Sequence, residues 1–301
     1  MKLAKILKAC RVDKPGRFRL ADCDPAENFG LDIGKDDVKA MLADGVARLA
    51  DLQERLYAEG RWAVLIVLQA MDAAGKDGVI KHVMSGVNPQ GCEVHSFKAP
   101  SDEELQHDFL WRAATRLPAR GRIGIFNRSY YEEVLVVRLH PEMLKRQKLP
   151  PSLTGKGLWK HRFGAIRNFE RHLVRNGMLV LKFHLRISKE EQRKRFLARI
   201  DEPAKRWKFS MSDVRERERW NDYMAAYEDM VRETSTDYAP WYVVPADHKH
   251  VAWVTVAGAV IDAIEKLGPE PPKVSGATLQ ELKSVEQALR AQAPAAAKRK
   301  S

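Results

Sequence analysis

Trp62-Ala-Val-Leu-Ile-Val-Leu68 runs without a break into Gln69-Ala-Met-Asp-Ala-Ala-Gly-Lys-Asp-Gly78. A near-continuous apolar run of strand length suits a parallel strand covered on both faces. Strand, turn, Gly-Lys and then a helix is the order of a phosphate-binding loop. Amide N–H groups at a helix start point outward, and the helix dipole adds partial positive charge there. In this reading Ala73, Ala74, Gly75, Lys76, Asp77 and Gly78 cradle phosphate, and Lys76 reaches a phosphate oxygen as a mobile point charge. Two positions depart from G-x-x-x-x-G-K-[ST]: Ala70 replaces the first glycine and Asp77 the hydroxyl residue. A carboxylate beside phosphate repels it unless a cation intervenes or the side chain turns away. Asp77 and Asp72 both leave that choice open, and a plain turn before a helix is the competing reading.

Outward from this loop the pattern repeats. Cys92–Phe97, Ile123–Phe126, Met178–Phe183 and Trp241–Val244 read as further strands. Helical spacing covers 35–59, with Leu49, Leu52 and Leu56 recurring, and roughly 76–86, 102–116, 129–138, 156–175, 189–200 and 212–233. Alternating strands and helices predict a doubly wound α/β sheet, mostly parallel, with helices on both faces. Residues 1–60 divide into an irregular extension and a helix, 61–268 form the core, and 269–301 give a short helix around 279–289 and a basic tail. Pro141, Pro150, Pro151, Gly155 and Gly157 mark 140–160 as a loop-rich insertion suited to a lid.

Further polar groups gather at strand ends. Ile123–Phe126 ends in Asn127-Arg-Ser-Tyr-Tyr-Glu-Glu133, where enzymes with this loop often carry an acid that organises Mg2+. Asn127 is a neutral polar ligand at that place, and Arg128 suits bidentate contact with phosphate. Ser129 with Glu132 fits a capping box. Glu133 and Arg138 lie on the following helix. Lys81 falls one turn after Asp77, as an extension of a cationic track or its i,i+4 partner. In 186–208, Gln192, Arg195 and Arg199 share a helical face, whereas Phe196, Leu197 and Ile200 turn toward the core. The basic stripe, with Lys208 beyond it, suits a polyanion or is simply a solvated face.

Composition narrows the class. The 301 residues carry 52 Lys and Arg against 40 Asp and Glu, a formal charge of +12, which favours a polyanionic partner without choosing one. No apolar run approaches the roughly 20 residues of a membrane span. Three cysteines without a C-x-x-C pair argue against a disulfide framework and a structural zinc site, so a reducing cytoplasm is the expected home. No nucleic-acid-reading signature supports a role on DNA or RNA. His248-Lys-His250 lacks a third metal ligand and reads as a helix start.

Together MDAAGKDG, FNRSYYEEVLVVR, SKEEQRKRF, DEPAKRWKFS and APWYVVPAD resemble the second polyphosphate kinase family over about residues 35–265. The resemblance implies a P-loop kinase-like three-layer sandwich with a lid, and phosphoryl transfer from inorganic polyphosphate to AMP and ADP, reversibly, with Mg2+ (Mn2+ as the alternative ion). It implies Asp72, Lys76 and Arg128 as catalytic residues and Asp72 with Asn127 toward the metal. Lys81, Arg195, Arg199 and Lys208 would hold polyphosphate. Asn127, Arg128, Glu133 and Arg138 would meet the nucleotide, adenine first and guanine as the alternative. Tyr130-Tyr-Glu-Glu-Val-Leu135 is similar to the subgroup that accepts both AMP and ADP, although Glu133 stands where other subgroups commonly carry Arg. A homo-oligomer is also implied. The rival readings are an ATP-dependent nucleoside monophosphate kinase and a basic nucleic-acid-binding protein on the same fold.

Overall fold

The computed structural model describes residues 2–30 and 35–292. The expected basic tail from 293 lies outside them, as does the side chain of Lys208. Five strands form one sheet: β1 Ala63–Gln69, β2 Cys92–Ser96, β3 Ile123–Asn127, β4 Met178–Arg186 and β5 Trp241–Pro245. Their order is β2-β3-β1-β4-β5, and every pairing is parallel. All seven residues of β1 are buried, as a central strand covered on both faces requires. The chain moves to one side of β1 for β2 and β3, then crosses to the other for β4 and β5. This switch opens a crevice at the carboxyl ends of β1 and β3, where ligands bind in such sheets.

One sheet face carries the helices Lys35–Glu59, Lys76–Val83 and Lys249–Leu267, which pack together. The other carries Leu158–Arg175 and Trp220–Thr234. Three expected helices are interrupted. Asp108 accepts from the Leu110 N–H and separates single turns at Asp102–Leu105 and Trp111–Ala114. After β3 a 3-10 segment, Tyr130–Val134, precedes Val136–Leu139. Met211–Glu218 ends at Arg219, and a second helix begins at Trp220. The insertion at 140–160 holds the helix Pro141–Arg146.

The amino-terminal stretch, expected as irregular, begins with the helix Lys2–Cys10. Its Ile6, Leu7 and Cys10 join the same apolar cluster as β1. Gly258 makes this possible: a Cβ there would sit 2.5 Å from Leu3 Cδ1. The chain then runs along the edge of β5, where Val12 N–H donates to Trp241 O at 2.9 Å. Covering an edge strand in this way blocks its pairing with another chain. Leu197 and Ile200, expected in the core, are instead 46% and 43% exposed; only Phe196 of that trio is buried. The helix Gly276–Ala291 is longer than expected and exposed throughout.

Beneath the second layer lies an ion pair with both side chains fully buried. Lys182 Nζ of β4 donates to Glu170 Oε2 at 2.7 Å and to Thr234 O at 2.7 Å. The Tyr130 and Tyr131 hydroxyls both donate to Glu170 Oε1, at 2.9 and 2.7 Å. This network ties the segment after β3 to β4 and to both covering helices. Removing one member strands a buried charge, whereas replacing the pair with apolar groups does not. Lys182→Met should therefore lose about 3–5 kcal/mol in denaturant unfolding. The double change Lys182→Met with Glu170→Leu should recover most of it. A single variant as stable as wild type would show that the pair carries no such constraint.

Candidate functional site

The loop after β1 is fixed by its carbonyls. Lys76 Nζ donates to Ala70 O at 2.9 Å and Met71 O at 3.4 Å. Gln192 Nε2 donates to Asp72 O at 2.9 Å. Arg195 donates to Ala73 O at 3.1 Å and Ala74 O at 2.9 Å. Consecutive carbonyls from 70 to 74 thus each meet a side-chain donor. Successive N–H groups left to converge on one side make an anion-binding concavity. The path requires left-handed backbone at Gly75 (φ 109°) and at Ala73 (φ 62°). Without a Cβ, Gly75 takes that conformation at no steric cost; Ala73 is strained there. Lys76 then opens the helix Lys76–Val83.

Lys76 is buried, and burial, seconded by the nearby Arg128 charge, pulls its pKa down to about 8. Two of its three donors meet loop carbonyls, leaving the third for a phosphate oxygen. The Asp77 puzzle resolves by rotation: its Oδ1 accepts from Asn127 Nδ2 at 2.9 Å. The carboxylate turns to β3 and clips the loop to the neighbouring strand. Asn127 therefore meets the loop itself, a contact its expected metal and nucleotide roles did not include.

Arg128 is the pivot of the second strand end. It has left-handed backbone (φ 62°) and donates to Asp72 Oδ1 at 2.5 Å. Glu132 holds its other terminal nitrogen at 3.5 Å, and Gln69 Nε2 donates to Glu132 Oε1 at 3.1 Å. The capping box expected from Ser129 and Glu132 is absent, since Ser129 Oγ accepts from Tyr131 N–H instead. The spacing of those two residues fits either use, so the sequence alone misassigned Glu132. At the start of the helix Lys189–Asp201, Ser188 Oγ accepts from Glu191 N–H, while the Glu191 carboxylate accepts from Arg195.

Beyond Arg128 and Asp72 opens a cavity of about 360 Å³. Phe97, Leu105, Phe109, Val136, Val137 and Met143 give it apolar walls. Arg112 lies over Phe97, with its guanidinium carbon 5.1 Å from the ring centre. Glu133 also lines the cavity, but its carboxylate is held by Arg162 at 2.9 Å and Gln147 at 2.6 Å. Burial pushes the Glu133 pKa up, and Arg162 opposes the shift. Arg138, expected near the nucleotide, pairs with Asp229 at 2.8 Å and is not in the wall. Asp213 was not anticipated. It faces the cavity from the helix Met211–Glu218 and lies 3.7 Å from Arg199. Burial and the facing Asp72 raise its pKa. Arg199 thus pairs with a carboxylate of the cavity wall without lining the cavity itself, whereas Lys81 is exposed on the helix Lys76–Val83.

Arg195 corrects the sequence reading. Expected to hold polyphosphate, it is buried with Nε on Glu191 and its terminal nitrogens on four backbone carbonyls. Its five donors are all committed within the protein.

Among the described residues no three His, Cys, Asp or Glu side chains come close enough to hold a metal by themselves. Mg2+ does not need such a cage, because it keeps waters and binds through one or two carboxylates plus substrate phosphates. Asp72, partly exposed at the cavity beside the phosphate loop, fits that requirement.

The family model described as Polyphosphate kinase 2 (PPK2) matches residues 32–271. An ADP-polyphosphate phosphotransferase of Rhodopseudomonas palustris is 55% identical over 85% of this chain and 89% of its own length. An AMP/ADP-polyphosphate phosphotransferase of Meiothermus ruber is 45% identical over 89% of this chain and 96% of its own. The crystal structure of Polyphosphate Kinase 2 from Arthrobacter aurescens TC1 superposes with a TM-score of 0.86 at 41% identity, covering 95% of this chain and 97% of that one. With a carbonyl-braced phosphate loop, an arginine at the neighbouring strand end and matches of this extent, the chain belongs to the polyphosphate kinase 2 family.

Proposed function

We propose that this protein transfers a phosphoryl group from inorganic polyphosphate to ADP and to AMP, reversibly, with Mg2+ and with Mn2+ as a substitute. The observation that carries the reading is the braced loop: its carbonyls point away, and Lys76 with Arg128 converges where the loop meets the cavity. The names of two relatives, one for ADP and one for AMP and ADP, supply the acceptors. The apolar cavity is of a size and character for the nucleoside part of the acceptor, adenosine first and guanosine as the alternative. Polyphosphate then lies on the loop side, along Lys76, Lys81, Arg199 and Lys208. A homo-oligomer belongs to the same reading, supported by the exposed stripe Leu279, Leu282, Val285 and Leu289.

The chemistry asks for positioning more than proton transfer. The terminal phosphate of an acceptor nucleotide has a second pKa of about 6, so its oxygen is already a nucleophile at neutral pH. No strong general base is needed. The obstacle is repulsion between two anions that must meet in line. Arg128 is fixed by Asp72 and Glu132, so its charge is already oriented when the phosphate arrives. Lys76 adds a second charge inside a buried loop, where it is worth more than in water. Asp72, with Asn127 on the neighbouring strand, would hold Mg2+, which would add neutralisation of phosphate oxygens.

Purified protein incubated with polyphosphate and Mg2+ should convert ADP to ATP and, separately, AMP to ADP, as read by nucleotide chromatography. Failure of both reactions, with ATP phosphorylating a nucleoside monophosphate, would replace this reading with an ordinary kinase. Lys76→Ala should lower kcat by roughly 100- to 1000-fold, about 3–4 kcal/mol of barrier, with unchanged circular dichroism. Normal turnover in that variant would remove Lys76 from the reaction. The pH profile tests the same residue. With its pKa depressed, Lys76 is charged below about 8 and neutral above. Hence kcat/KM for polyphosphate, which reports the free enzyme, should fall as pH rises through about 8. A plateau extending well beyond that pH would contradict the assignment.

A further inference from the structure

Arg195 makes its bonds within its own helix and to two distant parts of the chain. Nε donates to Glu191 Oε1 at 2.8 Å, one helical turn back. One terminal nitrogen donates to Ala73 O and Ala74 O. The other donates to Ala246 O at 2.6 Å and Asp247 O at 2.9 Å, just past β5. The side chain is 9% exposed. The Asp247 carboxylate in turn accepts from Ser188 N–H at 2.7 Å, at the start of the helix Lys189–Asp201. Gln192, on the same face, holds Asp72 O and accepts from Arg217 at 3.0 Å. The basic helix is therefore bolted to the loop at its first half. Its second half carries Arg199, more loosely paired with Asp213 and 23% exposed.

We propose that Arg195 is a positioning residue for the phosphate loop: its planar fork holds the Ala73 and Ala74 carbonyls away from the phosphate, so that the loop N–H groups face it. It does not bind polyphosphate itself. The left-handed Ala73 and Gly75 lie where this clamp acts, and a Cβ on Gly75 would stand 3.7 Å from the clamping nitrogen. Strained backbone of this kind persists only where its surroundings over-determine it. Arg199 is the arginine of this face left to meet the polyanion. The inference rests on the polyphosphate reading for its readout.

The test compares wild type with R195Q, R195K and R199Q in two measurements: kcat per folded enzyme, and polyphosphate affinity across a salt series. Removing one cation that meets a phosphate lowers the slope of log affinity against log salt by about one. R199Q should show that reduction. R195Q and R195K should keep the wild-type slope while kcat falls about 100-fold or more in both, because lysine keeps the charge but cannot span four carbonyls. An arginine needed only for stability would lower Tm and leave kcat of the folded fraction unchanged. A slope reduced by about one in R195Q, or kcat within threefold of wild type in R195K, would overturn the proposal. If R195Q does not fold, R195K decides alone. Wild type without polyphosphate-dependent turnover refutes the functional reading instead; the variants are then compared on ATP-driven AMP phosphorylation, where the same fall in kcat is expected.

Discussion

Peptide groups have two ends, and a loop that presents its N–H groups to an anion must dispose of its carbonyls. Here the carbonyls from Ala70 to Ala74 are taken by Lys76, Gln192 and Arg195. Only one of those side chains belongs to the loop. The others come from a helix more than a hundred residues later in the chain, so the loop's shape depends on the sheet being complete through β4. The same Arg195 reaches past β5, and Asp247 there joins the helix start. Much of the fold serves to place this one arginine and this one glutamine beside a short turn.

A second constraint works from the other side of β1. Asn127 holds Asp77, and Asp72 with Glu132 holds Arg128, whose backbone is itself left-handed. The buried Glu170–Lys182 pair fastens Tyr130 and Tyr131 just beyond. Charges in the crevice are thus paired within the protein and rest on rigid elements. Groups held in this way need no reorganisation when charge develops beside them.

The strands were legible because a central parallel strand must be apolar on both faces, which leaves no ambiguity in 63–68. Lys182 was invisible for the same reason, since one lysine in an apolar strand predicts no partner, and Glu170 lies on a helix with several other charges. Glu132 satisfied two patterns at once, and only the observed path of Ser129 separates them. Leu197 and Ile200 followed the helical period but lie nearly half exposed, because the basic helix is bolted down through Gln192 and Arg195. The amino-terminal helix was too short to show a convincing period, and its docking depends on the space at Gly258.

The sequence by itself determined the order of elements, the place of the phosphate loop and the residues Lys76, Asp72 and Arg128 at it, because these follow from local apolar pattern, turn chemistry and adjacency. Tertiary structure decided which arginine of the basic helix is buried against backbone carbonyls and which stays partly exposed beside a carboxylate. Arg195 and Arg199 share a helical stripe and a charge, and periodicity cannot tell them apart. Their difference lies in what stands opposite: backbone carbonyls of two distant segments for one, and a carboxylate at a cavity wall for the other. That distinction exists only once those segments have been brought within hydrogen-bonding distance.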